Sequence, residues 1–110
     1  MIYFIGCSEA NAVKIGGFSK RSWTDESGSA FARLGTAQVN CPLALELLAI
    51  CEGGIADERA LHDRFAAARI RGEWFTLTNE LKAHIDQFTR PQRRPRGWHS
   101  QARNRQEAVA

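Results

Sequence analysis

Tyrosine occurs once in the 110 residues, methionine once, and proline and cysteine three times each. Cys7, Cys41 and Cys51 are odd in number and form no C-x-x-C pair, which argues against a disulfide framework or a zinc-thiolate cluster. They are expected to act as small buried hydrophobes. A long apolar run is also missing: the longest, Cys41–Cys51, contains Pro42 and Glu46 and is too short to cross a bilayer. The apolar start Met1–Ile5 has neither a charged n-region nor a long h-region, so no signal peptide is expected. These features predict a soluble cytoplasmic protein without membrane association. No Gly-Lys-Ser/Thr follows the Gly16-Gly17 pair, no Gly-x-Ser-x-Gly occurs, and no His-x-x-x-His or cysteine cluster offers three metal ligands. Nucleotide-cradling loops, serine-hydrolase elbows and zinc sites of the usual spacing are thereby excluded.

What is present is ordinary globular composition, with 44% hydrophobic and 25% charged residues. That suffices for one compact domain. The net charge of +3 hides an asymmetry. Residues 1–88 hold nine Lys/Arg against eleven Asp/Glu, whereas residues 89–110 hold six Arg and one Glu with few aliphatics. A segment of that composition cannot bury enough apolar surface to offset its ordering entropy. The expected organisation is a domain at 1–88 and a disordered basic tail at 89–110. Within that tail Arg90, Arg93, Arg94 and Arg96 are candidates to bind nucleic acid electrostatically. A solubilising tail is the alternative.

The apolar patterning predicts an α+β fold of order β-β-α-β-α-(β)-α. Ile2–Gly6 reads as a strand buried on both faces, and Val13–Phe18 as a second strand joined by a polar turn containing Ser8, Glu9 and Asn11. So short a connection predicts an antiparallel hairpin. Residues 24–38 read as a helix with Thr24 or Ser27 as N-cap, weakened by Gly28 and Gly35. Leu43–Cys51 reads as a central strand, with a helix as the alternative. Ile55–Ala68 reads as a helix with Leu61, Phe65 and Ala68 in its apolar stripe. Glu73–Leu77 is a short strand or turn. Leu77, Leu81, Ile85 and Phe88 mark a last amphipathic helix, with Thr78 near its start.

The chemistry-bearing residues are scattered along these elements. Tyr3 lies in the first strand, Lys14 at the start of the second, and Arg33 on the first helix beside Leu34. Glu58 and His62, four apart, share one face of the second helix. Each alone reads more readily as a surface or packing residue. Together they supply a phenol, two cations and a carboxylate, the inventory for metal-assisted attack on a phosphodiester.

The motifs Ile-Tyr-Phe-Ile (Ile2–Ile5) and Val-Lys-Ile-Gly (Val13–Gly16) resemble the paired strands of the GIY-YIG endonuclease superfamily. Ala32-Arg33-Leu34 resembles its helix signature, and Gln38–Pro42 leading into Leu45–Leu48 its run into the third strand. Glu58-x-x-Leu61-His62-x-x-Phe65 and Gly72-Glu73-Trp74-Phe75 are similar to the phage and bacterial branch, in which Lys replaces the second-motif Tyr. The resemblance covers residues 2 to 85. It departs at Met1, where the family has Gly, and in its late Asn-containing motif, whose region here holds Gly72–Phe75.

The resemblance implies a three-stranded antiparallel sheet flanked by helices, and endonucleolytic hydrolysis of DNA with one divalent cation, Mg²⁺ or Mn²⁺. It also implies Glu58 as the metal ligand, Arg33 facing the scissile phosphate, and Tyr3 as general base. Lys14, on the neighbouring strand, is the cation expected to lower the phenol's pKa. His62 either orients Glu58, assists proton transfer, or merely packs. Tyr3 and Lys14 are expected on one sheet face, the face that meets Arg33 and Glu58. Trp74 and Phe75 are expected to be core anchors. Two alternatives remain: a degenerate member that binds nucleic acid without cutting, and a protein-interaction module of the phage-effector kind, whose tail contacts an acidic partner.

Overall fold

A computed structural model of the chain describes residues 1–19, 26–88 and 90–91. In chain order the elements are β1 (Ile2–Cys7), β2 (Ala12–Gly17), α1 (Glu26–Val39), β3 (Glu46–Cys51), α2 (Ile55–Arg64), β4 (Arg69–Arg71), β5 (Trp74–Thr76) and α3 (Asn79–Ile85), with a short 3₁₀ turn at Ala66–Ala68. The class is α+β, as the patterning predicts. The strands form one antiparallel sheet of five, ordered β3-β1-β2-β5-β4. No described helix is long and apolar enough to cross a membrane.

The expected sheet had three strands, and the two more arise after α2. β4 is the Arg-Ile-Arg segment Arg69–Arg71, three residues long and exposed throughout. It has no buried alternation to signal a strand and exists because it pairs with β5. Gly72 takes a φ of 55° in the two-residue loop between them, a left-handed conformation that glycine adopts without steric cost. The helix expected at 55–68 correspondingly ends at Arg64, with Phe65 as its buried C-cap.

β1 lies between two layers and is buried on both faces, which is why its sequence is an uninterrupted apolar run. On one face Ile2, Phe4, Val13, Ile15, Ala49 and Phe75 pack with Phe65, Leu81 and Ile85 from the α2 and α3 side. On the other, Tyr3, Ile5 and Leu47 pack with Phe18 and with Ala30 and Leu34 of α1. Despite Gly28 and Gly35, α1 runs unbroken for 14 residues, and Ser27 lies inside it rather than at its cap; Thr24 lies outside the described residues. β3 begins at Glu46, three residues later than expected, because Gln38 pins the approach: its side-chain amide donates to Cys41 O and Leu43 O and accepts from Leu45 N.

α3 is shorter than expected, but its cap is the expected one. Thr78 accepts a hydrogen bond from Leu81 N at 3.2 Å. Phe88 lies past the helix yet stacks on Phe4, with ring centroids 6.1 Å apart. Cys7 is buried, and Cys41 and Cys51 are half-buried free thiols. Phe75 is a core anchor as expected, whereas Trp74 is half-buried.

Candidate functional site

The register of β1 and β2 pairs Tyr3 with Gly16 and Ile5 with Lys14. Residues opposite each other share a face, and so do residues two apart, so Tyr3 and Lys14 lie together on the α1 face. That parity is the expected one. Glu58 differs from expectation: it belongs to α2, whose layer packs on the opposite face.

Glu58 nevertheless reaches the others because β2 outruns its neighbour. Pairing of β2 with β5 ends at Lys14–Trp74, with one further bond from Ile15 N to Glu73 O at 2.9 Å. Gly16 and Gly17 extend beyond it without side chains. A Cβ on Gly17 would stand 2.7 Å from Glu58 Oε1. A Cβ on Gly16 would stand 2.3 Å from the Tyr3 hydroxyl and 2.9 Å from Glu73 Oε1. The glycine pair is a notch through which groups from both faces of the sheet meet.

Glu73 occupies the centre of this notch. Its Oε1 is 3.7 Å from Lys14 Nζ, its carboxylate accepts from the Tyr3 hydroxyl, and it lies within hydrogen-bonding reach of Glu58. Burial, and then the Glu73 carboxylate, hold Glu58 above the usual carboxylate range, while His62 and Arg59 pull it back. His62 Nε2 is 3.8 Å from Glu58 Oε2 and 2.9 Å from Ile15 O, and its ring packs on Phe75 at 5.2 Å. His62 is thus tethered to β2 and packed on Phe75, with Glu58 beside it.

The Tyr3 phenol is pushed up to about 12, by burial first and by Glu73 next. Arg33 opposes this rise and Glu58 adds to it. Lys14 was expected to lower the phenol; its ammonium instead faces Glu73, and the opposing cation is Arg33. A cleft of about 610 Å³ opens over the notch, lined by Gly17, Phe18, Arg33, Gly53, Glu58 and Glu73 among others. Of the expected residues Arg33 and Glu58 line this cleft, whereas Tyr3 and Lys14 stand behind Glu73 and His62 behind Glu58.

Arg90 is not gathered there. It pairs with Glu46, opposite Gly6 towards the other end of β1. Arg93, Arg94 and Arg96 lie outside the described residues. Glu73 is the residue that sequence reasoning missed. Its motif was visible, but the pairing that sets it beside Lys14 joins segments some sixty residues apart, which no local pattern encodes.

Among the described residues no group of three or more His, Cys, Asp or Glu stands ready to hold a metal ion; of the three glutamates lining the cleft, Glu52, Glu58 and Glu73, two, Glu58 and Glu73, meet at the notch. Two carboxylates at an open cleft nonetheless fit a hard cation such as Mg²⁺ or Mn²⁺. Such an ion keeps several waters and takes one or two protein carboxylates besides a substrate phosphate, and it would relieve the repulsion between Glu58 and Glu73. Comparison with known proteins finds no matching family model, no matching curated protein and no matching solved structure.

Proposed function

We propose that this chain is a divalent-metal-dependent endonuclease of the GIY-YIG kind that hydrolyses phosphodiester bonds in DNA. The observation that carries the reading is that Arg33 of α1 and Glu58 of α2 line one cleft together with Glu73, while the Tyr3 phenol of β1 and the Lys14 ammonium of β2 meet the same Glu73 carboxylate beside it. A domain built only to bind a polyanion has no use for acidic groups at the centre of its binding surface, since they repel phosphate. A site that holds a cation between protein and phosphate requires them.

Glu58 holds the cation in this reading, with Glu73 close by. A divalent ion held there would supply Lewis-acid polarisation of the phosphoryl oxygen. Arg33, on the cleft wall, faces the phosphate and stabilises charge on its non-bridging oxygens. Tyr3 is a neutral phenol at neutral pH, so it serves the attacking water as a hydrogen-bond acceptor. Lys14 balances the acidic pair.

The test is incubation of the full chain with supercoiled plasmid and with single-stranded DNA, in Mg²⁺, in Mn²⁺ and in EDTA. Cleavage is expected with either metal and not in EDTA. Glu58→Gln should keep the circular-dichroism spectrum and lose about 10²-fold or more in rate, the usual scale for removing one charge-stabilising group. Undiminished cutting by this variant would overturn the assignment of Glu58. A wild-type chain that binds DNA without cutting it would identify a binding module instead.

A further inference from the structure

We infer that Glu73 is a positioning residue of this site: its carboxylate fixes the direction of the Tyr3 hydroxyl and the place of the Lys14 ammonium across the gap left by Gly16. The inference rests on the proposed nuclease reading for its kinetic consequence, though not for its geometry. Three observations converge on it. Glu73 Oε1 lies 3.7 Å from Lys14 Nζ. The Tyr3 hydroxyl donates to the same carboxylate. A Cβ on Gly16 would collide with both the Tyr3 hydroxyl, at 2.3 Å, and Glu73 Oε1, at 2.9 Å.

The backbone makes the placement firm. Glu73 O accepts from Ile15 N at 2.9 Å, and Gly72, at a φ of 55°, turns the chain so that Glu73 enters next to β2. A phenol has one proton and two acceptor lone pairs. When the proton is committed to Glu73, the lone pairs are left for a donor in the cleft. A water held there has its oxygen lone pairs free for attack. Without Glu73 the hydroxyl rotates, and Lys14 loses the anion that holds its flexible stem.

The experiment uses the full chain and the variants Glu73→Ala, Glu73→Gln and Gly16→Ala, with two readouts. The first is cleavage kinetics. Glu73→Ala should lower kcat by about 10²-fold, the scale of a misplaced reacting group, with KM unchanged. Glu73→Gln should recover most of that loss, because its amide oxygen still accepts from Tyr3. The second readout needs no activity. Tyr3 is the only tyrosine, so ¹³C-labelled tyrosine gives a single Cζ resonance. That resonance should shift in Glu73→Ala, return towards wild type in Glu73→Gln, and shift in Gly16→Ala, where a methyl group separates the partners.

Wild-type kcat in Glu73→Ala would overturn the inference. So would a matching rise, in the Ala and Gln variants alike, of the Mg²⁺ concentration needed for half-maximal cleavage, which would make Glu73 a metal ligand. Should the wild-type chain fail to cut DNA, the nuclease reading is lost and the tyrosine resonance decides alone. The predicted shift and its rescue by Gln then support the Glu73–Tyr3 link, and an unchanged resonance refutes it.

Discussion

Tyr3 carries the one phenol of the chain, and its surroundings set its charge. Burial and the Glu73 carboxylate raise it to about 12, against a value near ~10 for an exposed phenol. A raised folded-state value means that the folded protein holds this proton more tightly than the unfolded chain. The associated stability is fully present below about pH 10 and is lost as pH climbs through about 12. Phenolate absorbance followed against pH should therefore show one late transition, well above the value for free tyrosine. Glu73→Gln should move that midpoint down, since it removes the anion that repels phenolate. A titration at the free-tyrosine value would mean that Tyr3 is neither buried nor beside Glu73. Under the proposed function, a phenol so disposed would orient a water by hydrogen bonding rather than abstract its proton, so the geometry of Tyr3 would matter more than its basicity.

The elements differ in how plainly their sequences announce them, and packing explains the difference. β1 was legible because burial on both faces leaves a run with no polar interruption. The β1–β2 hairpin was legible from its short polar turn. β4 was not: its three residues are all exposed, and only pairing with β5 makes it a strand. The end of α2 was misplaced because Phe65 continues the apolar stripe although the helix has already stopped at Arg64. Of the candidate site, the shared face of Tyr3 and Lys14 was legible through strand parity, whereas Glu58 comes from the opposite layer and meets the others past the side-chain-free Gly17. Glu73 was not legible, because its role depends on non-local register and on the absence of side chains at Gly16 and Gly17. The shortest helix gives a direct test of local coding. α3 spans seven residues, too few to persist alone in water, so it relies on buried Leu81 and Ile85 and on the Thr78 cap. Thr78→Ala should lower stability by about 1 kcal/mol in chemical denaturation. Because Leu81 packs near Phe75 and Phe65 in one cluster rather than in the cleft, cleavage at low temperature should be unaffected.

At the scale of the whole molecule the charge is divided between two regions with opposite balance. Residues 1–88 carry a small acidic excess and residues 89–110 six of the fifteen basic residues. The folded part therefore offers a polyanion little general attraction, apart from Arg33 on the cleft wall. The structure also says where to divide the chain. Phe88 stacks on Phe4 and Arg90 pairs with Glu46, so a chain ending at Pro91 keeps these contacts while losing Arg93, Arg94, Arg96, Arg103 and Arg105. Each phosphate neutralised by such a residue steepens the log–log salt dependence of duplex binding by about 0.9. Contacts of this kind read phosphate and not base, so the lost affinity should be the same for any sequence. The chain ending at Pro91 should unfold at the same denaturant midpoint as the full chain, bind duplex DNA more weakly, and show a flatter salt slope by fluorescence anisotropy. Cleavage at low salt and high protein concentration should persist, because every residue of the cleft remains. Equal affinity and equal slope for the two chains would assign the basic segment to solubility or to an acidic protein partner, and would leave DNA binding to the cleft alone.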